Sequence, residues 1–325
     1  MFALFFERFG PPDVLRIGEL PAPHAGAGEI RIRVMAAGVA PVDLALRSGR
    51  SRSTVALPHV PGVDAAGIVD EVGAGVGGVA VGDEVFGAVD VAKLGGATAE
   101  HAVLRFWAHR PAGLPWAAAG AAATSVETAT RALDRLGVGP GAVLVVDGAA
   151  GGVGSVAVQL AVARGATVIG TARPESFAFV AGLGATPVAY GPGLADRIRN
   201  TGPWLVALDV AGKGSLPELI ALTGAAERVL TLADFGGPAL GVMISTGELG
   251  GEPDGRHGLA AAAALAVQGR FRVPVQAEYP LERAAEAHAA AERGPRRGKV
   301  AILLAARQRS LPNHGTTGYS SVGEH

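Results

Sequence analysis

One stretch, residues 142–172, constrains the fold of this chain more than any other. Ala142-Val143-Leu144-Val145-Val146 is a short β-branched run that stops abruptly at a glycine turn, the pattern of a strand covered on both faces. Gly148, Gly151, Gly152 and Gly154 crowd that turn, and residues 155–164 read as a helix. A second apolar run, Thr167-Val168-Ile169-Gly170-Thr171, begins just after Gly165. Strand, glycine turn, helix and strand in this order open a doubly wound α/β nucleotide fold.

The glycines have a steric reason. A pyrophosphate needs backbone N–H groups at close range, where a Cβ would hold it away, and the positive end of the helix adds to the same spot. The fingerprint is Ala149-Ala150-Gly151-Gly152-Val153-Gly154, with alanine in place of the first glycine of G-x-G-x-x-G. A purely structural glycine turn is the competing reading in a chain with 49 glycines, and the two flanking strands weigh against it. Gly151, Gly152, Val153 and Gly154 are therefore the first cofactor-binding candidates.

The end of the second strand bears on which dinucleotide is bound. Folds that prefer NAD place an acidic residue there for the ribose 2′-hydroxyl. Here the run is Thr171-Ala172-Arg173-Pro174-Glu175-Ser176, so alanine holds the acidic position. Arg173 and Ser176 suit a 2′-phosphate, which favours NADPH; Glu175 argues weakly the other way. Arg173 also reads as a solvated loop charge. Thr171, Ala172, Arg173 and Ser176 join the candidate list.

Composition narrows the function classes. A net charge of −1 leaves no electrostatic footprint for nucleic acid or an acidic membrane. With no cysteine there are no disulfides, thiol nucleophiles or thiolate metal sites. The apolar start, Met1 to Phe6, stops at Glu7-Arg8, too short for a signal peptide, and no run reaches a membrane span. These features predict a cytoplasmic enzyme acting on a small molecule.

Along the chain, residues 1–110 predict antiparallel β structure, with runs such as Ile30–Val34 and Ala66–Val69 set between Gly and Pro turns. Alanine-rich helices follow at 112–137. Strands and helices then alternate to about 245, with Leu205–Val210 and Arg228–Leu232 as later parallel strands. Helices are expected at 258–268 and 281–293, and a last strand at 299–304. The domain assignment is 1–120, completed by about 270–307, then 121–269 for the nucleotide, with a disordered tail at 308–325.

These residues carry a family likeness. Ala36-Ala37-Gly38-Val39-Ala40-Pro41-Val42-Asp43 with Arg47, Pro61-Gly62-Val63-Asp64-Ala65-Ala66-Gly67, Gly82-Asp83-Glu84-Val85-Phe86-Gly87, the glycine turn, Leu183-Gly184-Ala185 and Gly298-Lys299-Val300 stand in one order. The chain resembles the zinc-independent, zeta-crystallin-like quinone oxidoreductases of the medium-chain dehydrogenase/reductase superfamily, over about residues 1–305. The resemblance implies an α/β protein: a Rossmann-type parallel sheet binding NADPH, a GroES-like β-barrel catalytic domain, a cleft between them, and a homodimer. It also places Thr128 near the nicotinamide and Tyr190 on the adenosine side. In zinc-dependent relatives a cysteine takes the place of Ala40 and a Gly-His-Glu stretch that of Gly62-Val63-Asp64; alanine and valine ligate no metal, so none is expected. The asparagine that many relatives carry at Ala40, and the tyrosines some carry near Ala45 and Ser51, are missing too.

No catalytic residue stands out. Asp43 and Thr128 are the weak candidates. Asp43 and Arg47, four apart on a helical turn, read as a structural ion pair or as part of the site; Thr128 reads equally as a helix hydroxyl bonded within its own turn. His59 and His101 read as structural. The leading function is NADPH-dependent reduction of a quinone or α,β-unsaturated carbonyl. The alternatives are an enoyl or keto reductase of a polyketide-like or carrier-bound substrate, and a non-catalytic nucleotide-binding protein.

Overall fold

The computed structural model describes residues 1–90, 92–198, 204–293 and 297–304; the tail expected at 308–325 lies outside them. Two sheets account for most of the chain. The first is built largely from the N-terminal third. A hairpin, β1 (Phe2–Phe5) and β2 (Arg16–Glu19), precedes the long β3 (Ile30–Val39). Alternation along β3 buries Ile30, Ile32 and Val34 while Arg31 points outward to Asp70. After α1 (Pro41–Arg47) come β4 (Asp64–Val72), β5 (Glu84–Ala88), β6 (His101–Leu104) and β7 (Phe106–His109), all antiparallel to their neighbours.

Two helices, α2 (Trp116–Ala119) and α3 (Ala123–Arg135), lead into the second sheet. There β8 (Val143–Asp147), α4 (Gly152–Ala163), β9 (Thr167–Ala172), α5 (Phe177–Ala181), β10 (Thr186–Ala189), α6 (Leu194–Arg197), β11 (Leu205–Asp209), α7 (Leu216–Thr223), β12 (Val229–Thr231) and β13 (Met243–Ile244) follow in turn. All pairings are parallel, in the order β10-β9-β8-β11-β12-β13. The order reverses at β8, and in such sheets ligands bind outside the carboxyl ends of the strands at that point.

After α8 (Gly258–Val267) the chain goes back to the first sheet: β14 (Val275–Pro280), α9 (Ala284–Glu292) and β15 (Lys299–Leu303), with β15 antiparallel to β3. This return matters for the site. Gly298, at φ +91°, donates its N–H to Ala150 O at 2.9 Å and so docks the start of β15 onto the glycine turn. Tail-end residues thereby reach a cradle laid down 150 positions earlier.

The sequence reading differs from the structure mainly at helix starts. The helix expected from 155 begins at Gly152, so two poor helix formers occupy its first turn. Close backbone packing there outweighs intrinsic propensity. The helix expected over 281–293 is a tight 3-10 turn at Leu281–Arg283 followed by α9.

Candidate active site

The site starts from the turn between β8 and α4. Gly151, the residue before the helix, supplies no side-chain cap, so the N–H groups of the first turn are left for a ligand. Gly154 sits so close to the turn that a Cβ would stand 2.2 Å from Gly148 O. The space above the turn is a cleft of about 720 Å³. A backbone cradle of this shape, at a helix N-terminus and a reversal in strand order, fits a pyrophosphate.

Nine of the ten cofactor candidates named from the sequence line this one cleft. Gly151, Gly152, Val153 and Gly154 form its floor. Thr171, Ala172, Arg173 and Ser176 form the wall at the end of β9, and Tyr190 is exposed at the rim. The Arg173 side chain is 53% exposed and 3.9 Å from Glu175, a loose surface pair. Beside it lies a cation that sequence reasoning missed: Arg297 donates to Ser176 Oγ at 3.2 Å and to Glu175 O at 2.6 Å.

Thr128 is the exception and is not among the residues lining the cleft. Its hydroxyl donates to Glu127 Oε2 at 3.1 Å, within a network in which Arg131 of the same helix joins Glu127 to Ser245 and Glu252. The residue of α3 that reaches toward the first sheet is Thr124, through its N–H and hydroxyl to Asp64.

The opposite wall belongs to the first sheet and its returning strand. Val39, Pro41, Leu44 and Val300 make it largely apolar, with Glu292 and Lys299 as its charged members. Lys299, 7% exposed, stands 3.5 Å from the fully buried Asp64, and its stem crosses the glycine turn, where a Cβ on Gly152 would meet it at 2.7 Å. The Gly298-Lys299-Val300 stretch was the signal in the sequence; its destination was not.

The pairing of Asp43 with Arg47 is overturned. Asp43 is 1% exposed and accepts N–H bonds from Ala40 at 2.7 Å and Gly62 at 2.9 Å, folding α1 onto the start of β4. Arg47 turns away and pairs with Glu292 of α9. Spacing allowed the pair, but unpaired backbone N–H groups at the helix start claimed the carboxylate first. Neither Asp43 nor Arg47 lines the cleft. His59, buried against Leu94 O, and His101, beside Asp70, lie outside it as well.

Burial pushes the Asp43 carboxyl up to about 7, against its two backbone N–H bonds. Because the folded state favours the neutral form, the contribution of Asp43 to stability falls as pH rises from 3.8 to about 7. The stability difference between the wild type and Asp43→Asn should change by roughly 3–4 kcal/mol across that window, at 1.4 kcal/mol per unit. Urea unfolding at both ends of the window measures it, and a constant difference would contradict the assignment.

Residues 26–133 match the alcohol dehydrogenase GroES-like domain family, and residues 183–302 match the zinc-binding dehydrogenase family. The chain belongs to the medium-chain dehydrogenase/reductase superfamily. A relative within reach is 2-methylene-furan-3-one reductase of Solanum lycopersicum, 37% identical over 50% of this chain and 44% of that protein. The chain thus spans about half the length of the curated relatives it matches. Solved structures align over nearly all of it. An NAD-dependent alcohol dehydrogenase is 28% identical with a TM-score of 0.78, over 93% of this chain and 99% of that one. Escherichia coli quinone oxidoreductase complexed with NADPH is 25% identical with a TM-score of 0.76, over 93% of this chain and 100% of that one. Among the described residues no helix is long and apolar enough to cross a membrane, and no three His, Cys, Asp or Glu side chains group as metal ligands.

Proposed function

We propose that this protein is an NADPH-dependent oxidoreductase that reduces a quinone or an α,β-unsaturated carbonyl without zinc. The observation that carries the reading is the cleft itself: an uncapped, glycine-floored helix start faces an apolar wall from the other sheet. When bound, the nicotinamide supplies a hydride; the protein supplies position and electrostatics. The first-turn N–H groups of α4 hold the pyrophosphate. Val39, Pro41 and Leu44 exclude water from the reacting face and present no metal ligand. No side chain is assigned as proton donor. The names of the similar proteins, a reductase of 2-methylene-furan-3-one and a quinone oxidoreductase, favour conjugated acceptors.

Preference for the phosphorylated cofactor rests on the wall at the end of β9. Ala172 offers no carboxylate to a ribose hydroxyl, and Arg173 and Ser176 line the cleft beside it with Arg297 bonded to Ser176, a set of groups that supports binding of a 2′-phosphate. Charge-assisted hydrogen bonds are worth about 1.5–3 kcal/mol each, so Arg173→Ala with Arg297→Ala should weaken NADPH by at least roughly tenfold. NADH affinity should stay within about twofold. Equal losses for both cofactors would remove the phosphate role.

Oxidation of NADPH with a panel of quinones and enones tests the reaction. Turnover of simple quinones and enones supports it. Turnover of a carrier-bound enone alone supports the specialised reductase, and saturable binding without turnover supports a nucleotide-binding role. The cytoplasm and a homodimer complete the proposal, the latter checked by light scattering of the purified chain.

A further inference from the structure

Within the cleft one carboxyl group has a buried oxygen with no hydrogen-bond partner among the described residues. Asp147 ends β8, is 2% exposed, and lines the cleft beside Gly148. The Thr171 hydroxyl donates to its Oδ1, and Oδ2 has no hydrogen-bond partner among the described residues. Its register neighbour on β11 is Asp209, also buried. Asp209 is supplied with donors on both oxygens: Ala211 and Gly212 donate their N–H groups to Oδ1 at 2.9 Å, and the Thr231 hydroxyl donates to Oδ2 at 2.7 Å. Thr171, Asp147, Asp209 and Thr231 thus form a polar row across four strand ends.

Two adjacent buried carboxyl groups do not both ionise readily, and the one with fewer donors yields. Burial, reinforced by the Asp209 charge, raises the Asp147 carboxyl above its ordinary range; the Thr171 hydroxyl works against that, as does the nearby Ser215 hydroxyl, which makes no aligned bond to Oδ2. The first turn of α4 carries no charged side chain, and the cations lining the same cleft are Lys213 and Arg173, both exposed, and Lys299, already paired with Asp64.

We propose that Asp147 couples dinucleotide binding to a proton: the cleft takes up the anionic cofactor with Asp147 as a neutral carboxyl and loses affinity when that carboxyl ionises. The inference rests on the dinucleotide reading above. Its physical basis is that the pyrophosphate is seated by backbone dipoles, and a negative charge in the poorly solvated row beneath it opposes that seating. Asp147 is a positioning residue acting through charge.

The sign is fixed. The neutral form prevails below the Asp147 pKa, so affinity is highest there and falls as pH rises through it, with up to one proton taken up on binding. NADH is the probe, because it lacks the titratable 2′-phosphate. Fluorescence titrations across the pH range in which the protein stays folded should show the Kd of the wild type rising with pH, by about tenfold or more. Asp147→Asn, a permanently neutral mimic, should keep the low-pH affinity throughout. Calorimetry in two buffers of different ionisation heat should find proton uptake in the wild type and not in the variant. Parallel pH profiles, or equal proton uptake, overturn the proposal. Asp147→Thr repeats the comparison should the asparagine variant fail to fold. Absence of saturable NADH and NADPH binding at every pH instead refutes the dinucleotide reading, and this inference with it.

Discussion

Gly154→Ala is expected to abolish measurable dinucleotide binding and to lower the stability of the nucleotide-binding half. The new methyl would stand 2.2 Å from Gly148 O, 2.9 Å from Gly148 C and 3.0 Å from Ala149 Cα, all backbone atoms of the same turn. No flexible side chain is there to move aside, so the turn itself must open and the N–H groups of the α4 start lose their common direction. Overpacking of this kind costs about 1–3 kcal/mol in stability. Binding suffers more, because it depends on several donors converging at once. Gly139→Ala is the control: its Cβ meets nothing within 4 Å and its φ is ordinary, so it should change stability by less than about 0.5 kcal/mol. Cofactor titration and thermal unfolding of both variants decide the point. Equal behaviour would mean that the turn is a generic glycine loop.

Lys299→Met should be the most destabilising single change at the junction of the two sheets. Asp64 is 0% exposed, and it is held by Thr124 and by the Lys299 ammonium. Methionine fills the volume of the lysine stem but leaves the carboxylate buried with the Thr124 donors alone. Breaking one partner of a buried pair typically costs about 3–5 kcal/mol. Adding Asp64→Asn removes the stranded charge while keeping an acceptor for Thr124, so the double variant should recover most of the loss. Urea unfolding of the single and double variants forms the cycle. A Lys299→Met protein as stable as the wild type, or a double variant no better than the single, would show that the pair contributes little.

These two positions also show what the chain reveals before it folds. The cradle was legible because its requirement is steric and local: only glycine admits the approach at Gly154, and the strands on either side are written within 25 residues of it. The parallel sheet followed from the alternation of apolar runs and helices. Lys299 and Arg297 were not legible as site residues. Lys299 lines the cleft and Arg297 reaches Ser176 beside it because β15 pairs with β3 and Gly298 docks on Ala150, contacts between residues far apart in the chain. Thr128 lay in a stretch similar to relatives, yet on α3 it engages Glu127 and is not among the residues lining the cleft. Asp43 and Arg47 had the spacing of a helical ion pair, and each found a better partner outside its own turn. Local stereochemistry writes itself into sequence; the destination of a long polar side chain does not.

The most direct test of the account is titration of the purified chain with NADPH, read by nicotinamide fluorescence. Saturation at one cofactor per chain, followed by loss of the signal on addition of a conjugated enone or quinone, is the predicted result. A signal that never saturates, or a bound cofactor that no such acceptor oxidises, would contradict it.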